Sequence, residues 1–402
     1  FFFSSRRRHT RSSTVCGLGD VYKRQMKIHF KNVANSIKKM MKKDSKIMEI
    51  GCNDGIFLQN FKNFDHLGIE PSKNVCNVSR SKKLKVLNSF FTEELIDQKK
   101  LHNKFDVIFA ANVICHIPNM LSLFKCVEKS LKQDGFFIFE EPYLGAMLEK
   151  TSYDQIYDEH FYMFSANSIT SILDKFNLEL VSAERISTHG GSMRYYVKKT
   201  KSFKISKKLK QVLKYEESLK ISKIKTIKKF VANCINSKKR ILKIMNEIIA
   251  KGEDIYGYGA TSKSTTILHF CDVKDNFIQG IFDNTPTKIN KYFPAKKIKI
   301  IDYKEFKNIR PKHCFLFAWN HYKEIFKKEN YLEIWKVLSK WAAIAEQSNV
   351  PMSALSIRMA LDILDVDVAI VGIKSTNQVK INSESLGWKI SEKMSKELLA
   401  YV

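Results

Sequence analysis

In the segment YDEHFYMFS, Tyr157, Asp158, Glu159 and His160 stand side by side, with Tyr162 and Ser165 close behind. Imidazole is the side chain whose ordinary pKa lies nearest neutrality, so it can take a proton and return it. A tyrosine hydroxyl and a carboxylate in the same turn of chain can orient such a ring or hold a polar substrate. A second cluster, THGGSMRYY, supplies His189, Gly190, Gly191, Ser192, Arg194, Tyr195 and Tyr196. Paired glycines permit close backbone approach to a ligand, and the Arg194 guanidinium can fork onto a phosphate or carboxylate. A lone histidine in such text is more often structural than catalytic. The density of polar residues makes these two segments a candidate site.

A third set lies upstream. EIGCNDG (Glu49, Gly51, Asn53, Asp54, Gly55) follows the apolar run Lys46-Ile47-Met48, and GIEPS (Gly68 to Ser72) places Glu70 and Pro71 after a second run. Glu70 stands about 20 residues beyond the first glycine, where a Rossmann-type unit sets an acid against a ribose. The turn is not GxGxxG, because Asn53 occupies the middle position. A carboxylate there pairs with both ribose hydroxyls and repels a 2′-phosphate, so the expected ligand is S-adenosylmethionine or NAD. Glu49 favours the former, since it can help hold an ammonium group through water or backbone.

The elements that position these residues follow an αβ rhythm. HLGIE (66–70), LKVLNSFF (84–91), FDVIFAANV (105–113) and FFIFEEPY (136–143) are expected as further parallel strands, with a helix over Met120 to Lys132. Ligands of such sheets bind at the carboxyl ends of the strands, which here carry Gly51, Asp54, Glu70, Asn88, Asn112 and Glu141. LELVSAERI and MRYYVKK suit a closing antiparallel pair. Residues 203–250 lack proline and glycine and repeat apolar residues at helical spacing, which predicts a helix pair linking two domains. IYGYGATSKSTTIL (255–268), QGIFDNTPT and HCFLFAWN then predict a second, smaller α/β domain. In GYGATSK, helix-start amides, Thr261, Ser262 and Lys263 could cradle a phosphate.

The chain has 402 residues and a net charge of +28. Residues 26–402 carry 63 Lys and Arg against 40 Asp and Glu, mostly lysine scattered along helices. No basic platform interleaved with aromatics is seen, so nucleic acid is not an expected partner. No apolar run reaches the ~18 residues of a membrane span. The eight cysteines show no CxxC pair and no metal spacing, so the expectation is a reducing cytoplasm, no disulfides and no metal.

Three resemblances complete the reading. Residues 1–25, FFFSSRRRHTRSSTVCGLGDVYKRQ, resemble translated sequencing-adapter text and are expected to be disordered, or at best weakly helical. From about 331 the chain resembles the end of an aldo-keto reductase. In that family Gly372, Lys374, Ser375, Thr376 and Gln378 would face the adenosine end of NADP. The catalytic set of that barrel has no counterpart here, and one strand of eight closes no barrel.

Between these ends, EIGCNDG, GIEPS, ANVICHI (111–117), EEPY, YDEHFYMFS, HGGSMR, GYGATSKSTTIL, DNTPTK and FAWNHYKEI occur in order. Residues 26–328 thereby resemble the S-adenosylmethionine-dependent C-methyltransferases that act on nucleotide-linked 4-keto-deoxysugars. The resemblance implies a class I methyltransferase domain (26–200), a helical linker (201–250) and a second Rossmann-like domain (251–330). It implies His160 as general base, with Tyr157 and Glu159 beside it. Glu49, Gly51, Asn53, Asp54, Gly55, Glu70, Pro71, Asn88, Asn112 and His116 would line the cofactor. Tyr143, His189, Gly190, Gly191, Arg194, Tyr258, Gly259, Ser262 and Lys263 would line the sugar nucleotide. A monomer is expected. The family's leading zinc module has no counterpart, and foreign text follows residue 328, so reduced or absent activity is expected. An NAD-dependent oxidoreductase or epimerase, and an inactive cofactor-binding chimera, are the competing readings.

Overall fold

The computed structural model describes residues 19–199, 205–321, 337–363 and 376–400. Two compact units divide the chain, 1–320 and 321–402.

The first unit is built on β1 (Lys46–Ile50), β2 (Asp65–Ile69), β3 (Val86–Leu87), β4 (Phe105–Ala111), β5 (Leu131–Pro142), β6 (Glu179–Ile186) and β7 (Ser192–Lys198). They form one sheet in the order β3-β2-β1-β4-β5-β7-β6. β1 to β5 run parallel, while β7 is antiparallel to both β5 and β6. The central strands read as apolar runs because both faces are covered. Met48, Ile50, Ile108 and Ala110 enter one core, and Ile47, Val107 and Phe109 enter the other.

The second core is closed by the helix Gly19–Lys38, which buries Met26, Phe30, Val33, Ala34 and Ile37 on one stripe. Phe30 meets Phe57 edge-on, and Phe57 stacks on Phe109 with centroids 3.9 Å apart. Residues 19–25, expected to be disordered or at best weakly helical, continue this helix, whose apolar stripe from Met26 anchors it. Residues 1–18 lie outside the described residues.

Three local expectations change. After EIGCNDG the chain makes only a 3-10 turn, Leu58–Phe61. Phe57 and Phe61 enter one core and Leu58 another, so this segment has no single apolar stripe to sustain an α-helix. The third strand shrinks to Val86–Leu87, because Asn88 turns its amide back onto the carbonyls of Glu70 and Pro71. The fifth strand starts at Leu131, and the preceding helix ends at Ser130.

A second sheet, β10-β9-β8-β11, is wholly parallel. Its strands are β8 (Ile255–Tyr258), β9 (Ile281–Asp283), β10 (Ile300–Asp302) and β11 (His313–Leu316). The two helices read as a linker divide between the cores. Lys207–Ser218 sends Leu209 and Val212 into the first sheet's core, and Ile224–Ala250 lays Met245, Ile241 and Ile248 on the second.

The unit 321–402 contains the helices Met352–Asp362, Thr376–Ser383 and Glu392–Leu399 around Ile344, Leu355, Met359 and Leu398. Thr376 and Gln378 begin the second of these helices, while Gly372, Lys374 and Ser375 lie outside the described residues.

Candidate active site

The loop after β1 is held by its own acids. Gly51 has φ +66°, and a Cβ there would stand 2.5 Å from Val113 Cγ2, so only glycine fits. Asn53 adopts φ +49°, a region asparagine tolerates better than most side chains. Its Oδ1 accepts the amide of Asp54 at 2.7 Å. Glu70, at the end of β2, accepts the amides of Asn53 at 2.9 Å and Ser72 at 2.8 Å. Asp54 pairs with Lys82 at 3.1 Å. Glu49 is buried, and its Oε2 has no partner. Burial first, then the fields of Asp54 and Glu70, push its carboxyl well above the usual range, against a backbone hydrogen bond at Leu58. An orphaned buried oxygen beside a glycine turn with no room for a Cβ fits a ligand carrying a ribose and an ammonium group.

Glu141, at the end of β5, shapes the next loop. It accepts the amides of Val113 at 2.9 Å and Ile114 at 2.7 Å. Burial raises its pKa to about 7, against the Cys115 thiol and these amides. The loop therefore turns back from Asn112 (φ +55°) to His116 over a buried acid. Two hydrogen bonds fasten the segment carrying His160 to it: Phe161 N donates to Cys115 O at 2.8 Å, and Tyr162 Oη donates to Pro118 O at 2.6 Å.

His116 and His160 are thereby brought to 5.1 Å between ring centroids. The Tyr157 ring lies 4.1 Å from that of His160. His160 Nδ1 stands 2.8 Å from the Gln155 carbonyl, which fixes Nδ1 as the N–H and leaves Nε2 as the basic nitrogen. Burial first, then the neighbouring His116, lowers the His160 pKa to about 4, with the Gln155 bond opposing. Burial also lowers the pKa of His116. His160 is thus a neutral, oriented base at physiological pH. If it is the kinetically essential base, the acid limb of kcat/KM should fall near pH 4, not near the ordinary imidazole value of about 6.5. A limb at the ordinary value in a pH–rate profile would remove His160 from that role.

The second cluster meets the first. Asn112 Nδ2 donates to His189 Nε2 at 3.3 Å. Lys263, from the second sheet's domain, donates to His189 O at 3.1 Å and lies 3.8 Å from Asp154. Asp154 is buried and accepts Trp319 Nε1–H at 2.8 Å. The sequence reading missed Asp154, Gln155 and Trp319. Only Trp319 stood in a quoted motif, FAWNHYKEI; Asp154 and Gln155 precede the polar cluster, and a backbone carbonyl or a lone tryptophan carries no spacing rule.

Several expected substrate residues are already engaged. Arg194 donates to Glu140 and Glu184, each at 2.6 Å, and His29 pairs with Glu140 at 2.7 Å. Arg194 lies on the face covered by the helix Gly19–Lys38, where its fork is taken by acids of β5 and β6. Arg194→Ala should therefore cost about 1–3 kcal/mol of stability, because buried Glu140 keeps only His29 and its Oε1 loses its charged donor. Urea unfolding checks this; unchanged stability would return Arg194 to the ligand.

Tyr143 is buried, with its pKa raised by burial and then by Glu216, so it faces the helix Lys207–Ser218 side of the core. Gly190 and Gly191 are approached closely by the protein itself: added Cβ atoms would meet Trp319 at 3.1 Å and Ala146 at 2.6 Å. Tyr258 packs edge-on against Tyr303 and Phe306. In the turn after β8, the amides of Gly259, Ala260 and Thr261 go to Phe282 O, Asp283 and Ser264. These three amides are thereby taken within the protein, and Ser262 starts the helix Ser262–Phe270.

A seven-stranded sheet of this order, with one antiparallel strand and an acid closing the glycine loop, defines a class I S-adenosylmethionine-dependent methyltransferase. Residues 22–183 match the methyltransferase domain family, and residues 187–342 match the C-methyltransferase C-terminal domain. The chain is similar to the C-methyltransferases, and its cofactor is S-adenosylmethionine. It is 25% identical over 287 residues to the C-methyltransferase NovU of Streptomyces niveus, covering 70% of this chain and 68% of that protein.

Among solved structures, a methyltransferase from Thermotoga maritima is 16% identical with a TM-score of 0.36, over 45% of this chain and 92% of that one. Magnesium protoporphyrin IX methyltransferase from Synechocystis, with bound S-adenosylmethionine, is 11% identical with a TM-score of 0.33, over 43% and 78%. No helix among the described residues is long and apolar enough to cross a membrane.

Proposed function

We propose that this chain methylates a carbon next to the keto group of a nucleotide-linked 4-keto-deoxysugar, with His160 as the base that forms the enolate. The observation that carries the proposal is the state of His160. It is neutral, aimed by Gln155 and flanked by Tyr157 and His116, on a segment tied to the loop at the end of β4. The sugar-nucleotide class rests on the ordered motifs from EIGCNDG to FAWNHYKEI.

S-adenosylmethionine supplies an electrophilic methyl group. Glu49, Gly51, Asn53, Asp54, Gly55, Glu70, Pro71, Asn88 and Asn112 would hold it. The protein's own residues supply the proton chemistry. A ketone α-proton is about a dozen pK units less acidic than an ordinary imidazolium, and the lowered pKa of His160 widens the gap to about 14–15 units, roughly 20 kcal/mol at 1.36 per unit. His160 cannot cross that gap alone. Donors aimed at the developing enolate oxygen are worth roughly 3–4 kcal/mol each. Tyr157, His189 and Lys263 are the candidates, and Glu159 would orient the sugar. Proximity supplies much of the remainder.

Calorimetry with S-adenosylhomocysteine and with a synthetic nucleotide-linked 4-keto-6-deoxyhexose tests the pairing. Both should bind, the sugar nucleotide more tightly when the cofactor product is present. Failure of every 4-keto sugar nucleotide to bind would discard the substrate class.

We infer also that residues 343–402 take no part in this activity, since they lie beyond the C-methyltransferase match and within the compact unit 321–402. Ending the chain after Ala342 should leave S-adenosylhomocysteine affinity within severalfold. A loss beyond tenfold would make the tail integral.

A further inference from the structure

Cys115 Sγ, a ring nitrogen of His116 and one of His160 all lie within 4.8 Å of one another. No spacing rule finds this set, because Cys115 and His116 are adjacent and His160 is 44 residues away. We propose that these three side chains form a binding site for a soft divalent cation, of which zinc is the natural example. Occupancy would reversibly silence the base.

Four features support the site. One thiolate and two imidazoles are a donor set that favours zinc over magnesium or calcium. Three protein ligands with one open position is the stoichiometry of open, catalytic-type zinc sites, not of closed structural ones. The His160 ring has the outer support that metal-ligating histidines use, a backbone carbonyl on Nδ1, so Nε2 is the nitrogen left for a metal. The Phe161 N to Cys115 O bond holds the two contributing segments together. Zinc ligand bonds of about 2.0–2.3 Å require the three atoms to draw in by roughly 1 Å, a change within reach of two imidazole side chains.

The functional consequence rests on the proposed role of His160. A lone pair bound to zinc cannot accept a proton, so metal and substrate deprotonation exclude each other. Binding itself does not depend on that reading.

Cobalt(II) titration of the full chain tests the site. One equivalent should produce tetrahedral visible bands and a thiolate-to-cobalt charge-transfer band, displaced by zinc. Cys115→Ala should abolish the charge-transfer band, and His116→Gln should weaken cobalt binding at least tenfold. A circular dichroism spectrum and urea midpoint matching the parent would show that each variant is folded. Cys314 is exposed, and Cys314→Ser should leave the band in place. If Cys115→Ala does not fold, X-ray absorption of the zinc-loaded chain should show one sulfur and two imidazoles in the first shell. Absent cobalt bands, an unchanged band in Cys115→Ala, or a zinc shell without sulfur would each overturn the site. Metal bound as described with methyl transfer unaffected would instead overturn the role of His160.

Discussion

His160→Ala is expected to reduce methyl transfer by about 10²–10⁴-fold, the usual worth of a positioned general base. The affinity for S-adenosylhomocysteine should change by no more than severalfold. The split follows from geometry. His160 lies against Tyr157 and His116, its ring held by Gln155, while the glycine loop after β1 is organised separately by Glu70 and Asn53. His160→Gln keeps a polar side chain but has no basic nitrogen, so it should be as inactive as alanine. Single-turnover methyl transfer measures the loss and equilibrium titration measures the binding. A variant with more than a tenth of the parent rate would show that another group removes the proton.

Glu70→Ala is expected to weaken cofactor binding by about 100-fold or more, near 3 kcal/mol at 1.4 kcal/mol per decade. Two losses combine. The ribose loses a charged acceptor, with hydrogen bonds worth about 1.5–3 kcal/mol each. The loop also loses the tether that holds Asn53 at φ +49°, because Glu70 accepts the amides of Asn53 and Ser72. Glu70→Gln keeps one acceptor oxygen and should fall between alanine and the parent. Affinity within threefold of the parent for Glu70→Ala would show that Glu70 only shapes the loop.

The glycine turn and Glu70 were legible because their chemistry is local: an acid at a fixed offset from a turn declares the ligand edge of a parallel sheet. The strands were legible for a related reason, since β1 and β4 are buried on both faces and read as apolar runs. The short third strand and the missing α-helix after Gly55 were not, because Asn88 and the divided packing of Phe57 and Leu58 are long-range effects.

At the candidate site, the polar density around His160 marked the segment. It could not show that Gln155 supplies the orienting carbonyl, or that His116 and Cys115 arrive from the loop after β4. Arg194 misled for the opposite reason. A guanidinium next to paired glycines suggests a phosphate, but strand alternation sends it to the other face of the sheet, among Glu140, Glu184 and His29. In GYGATSK, the amide of Ala260 is taken by Asp283 from β9, a partner that arrives from 23 residues away and has no local signal.

Proton exchange at the substrate carbon tests the central claim most directly, because it isolates the base from methyl transfer. The full chain would be incubated in deuterium oxide with S-adenosylhomocysteine and a nucleotide-linked 4-keto-6-deoxyhexose, and followed by proton NMR. The predicted result is stereospecific loss of one proton from the carbon next to the keto group, abolished by His160→Ala and His160→Gln. Undiminished exchange in both variants, or methyl transfer to the same sugar with no exchangeable carbon proton, would contradict it.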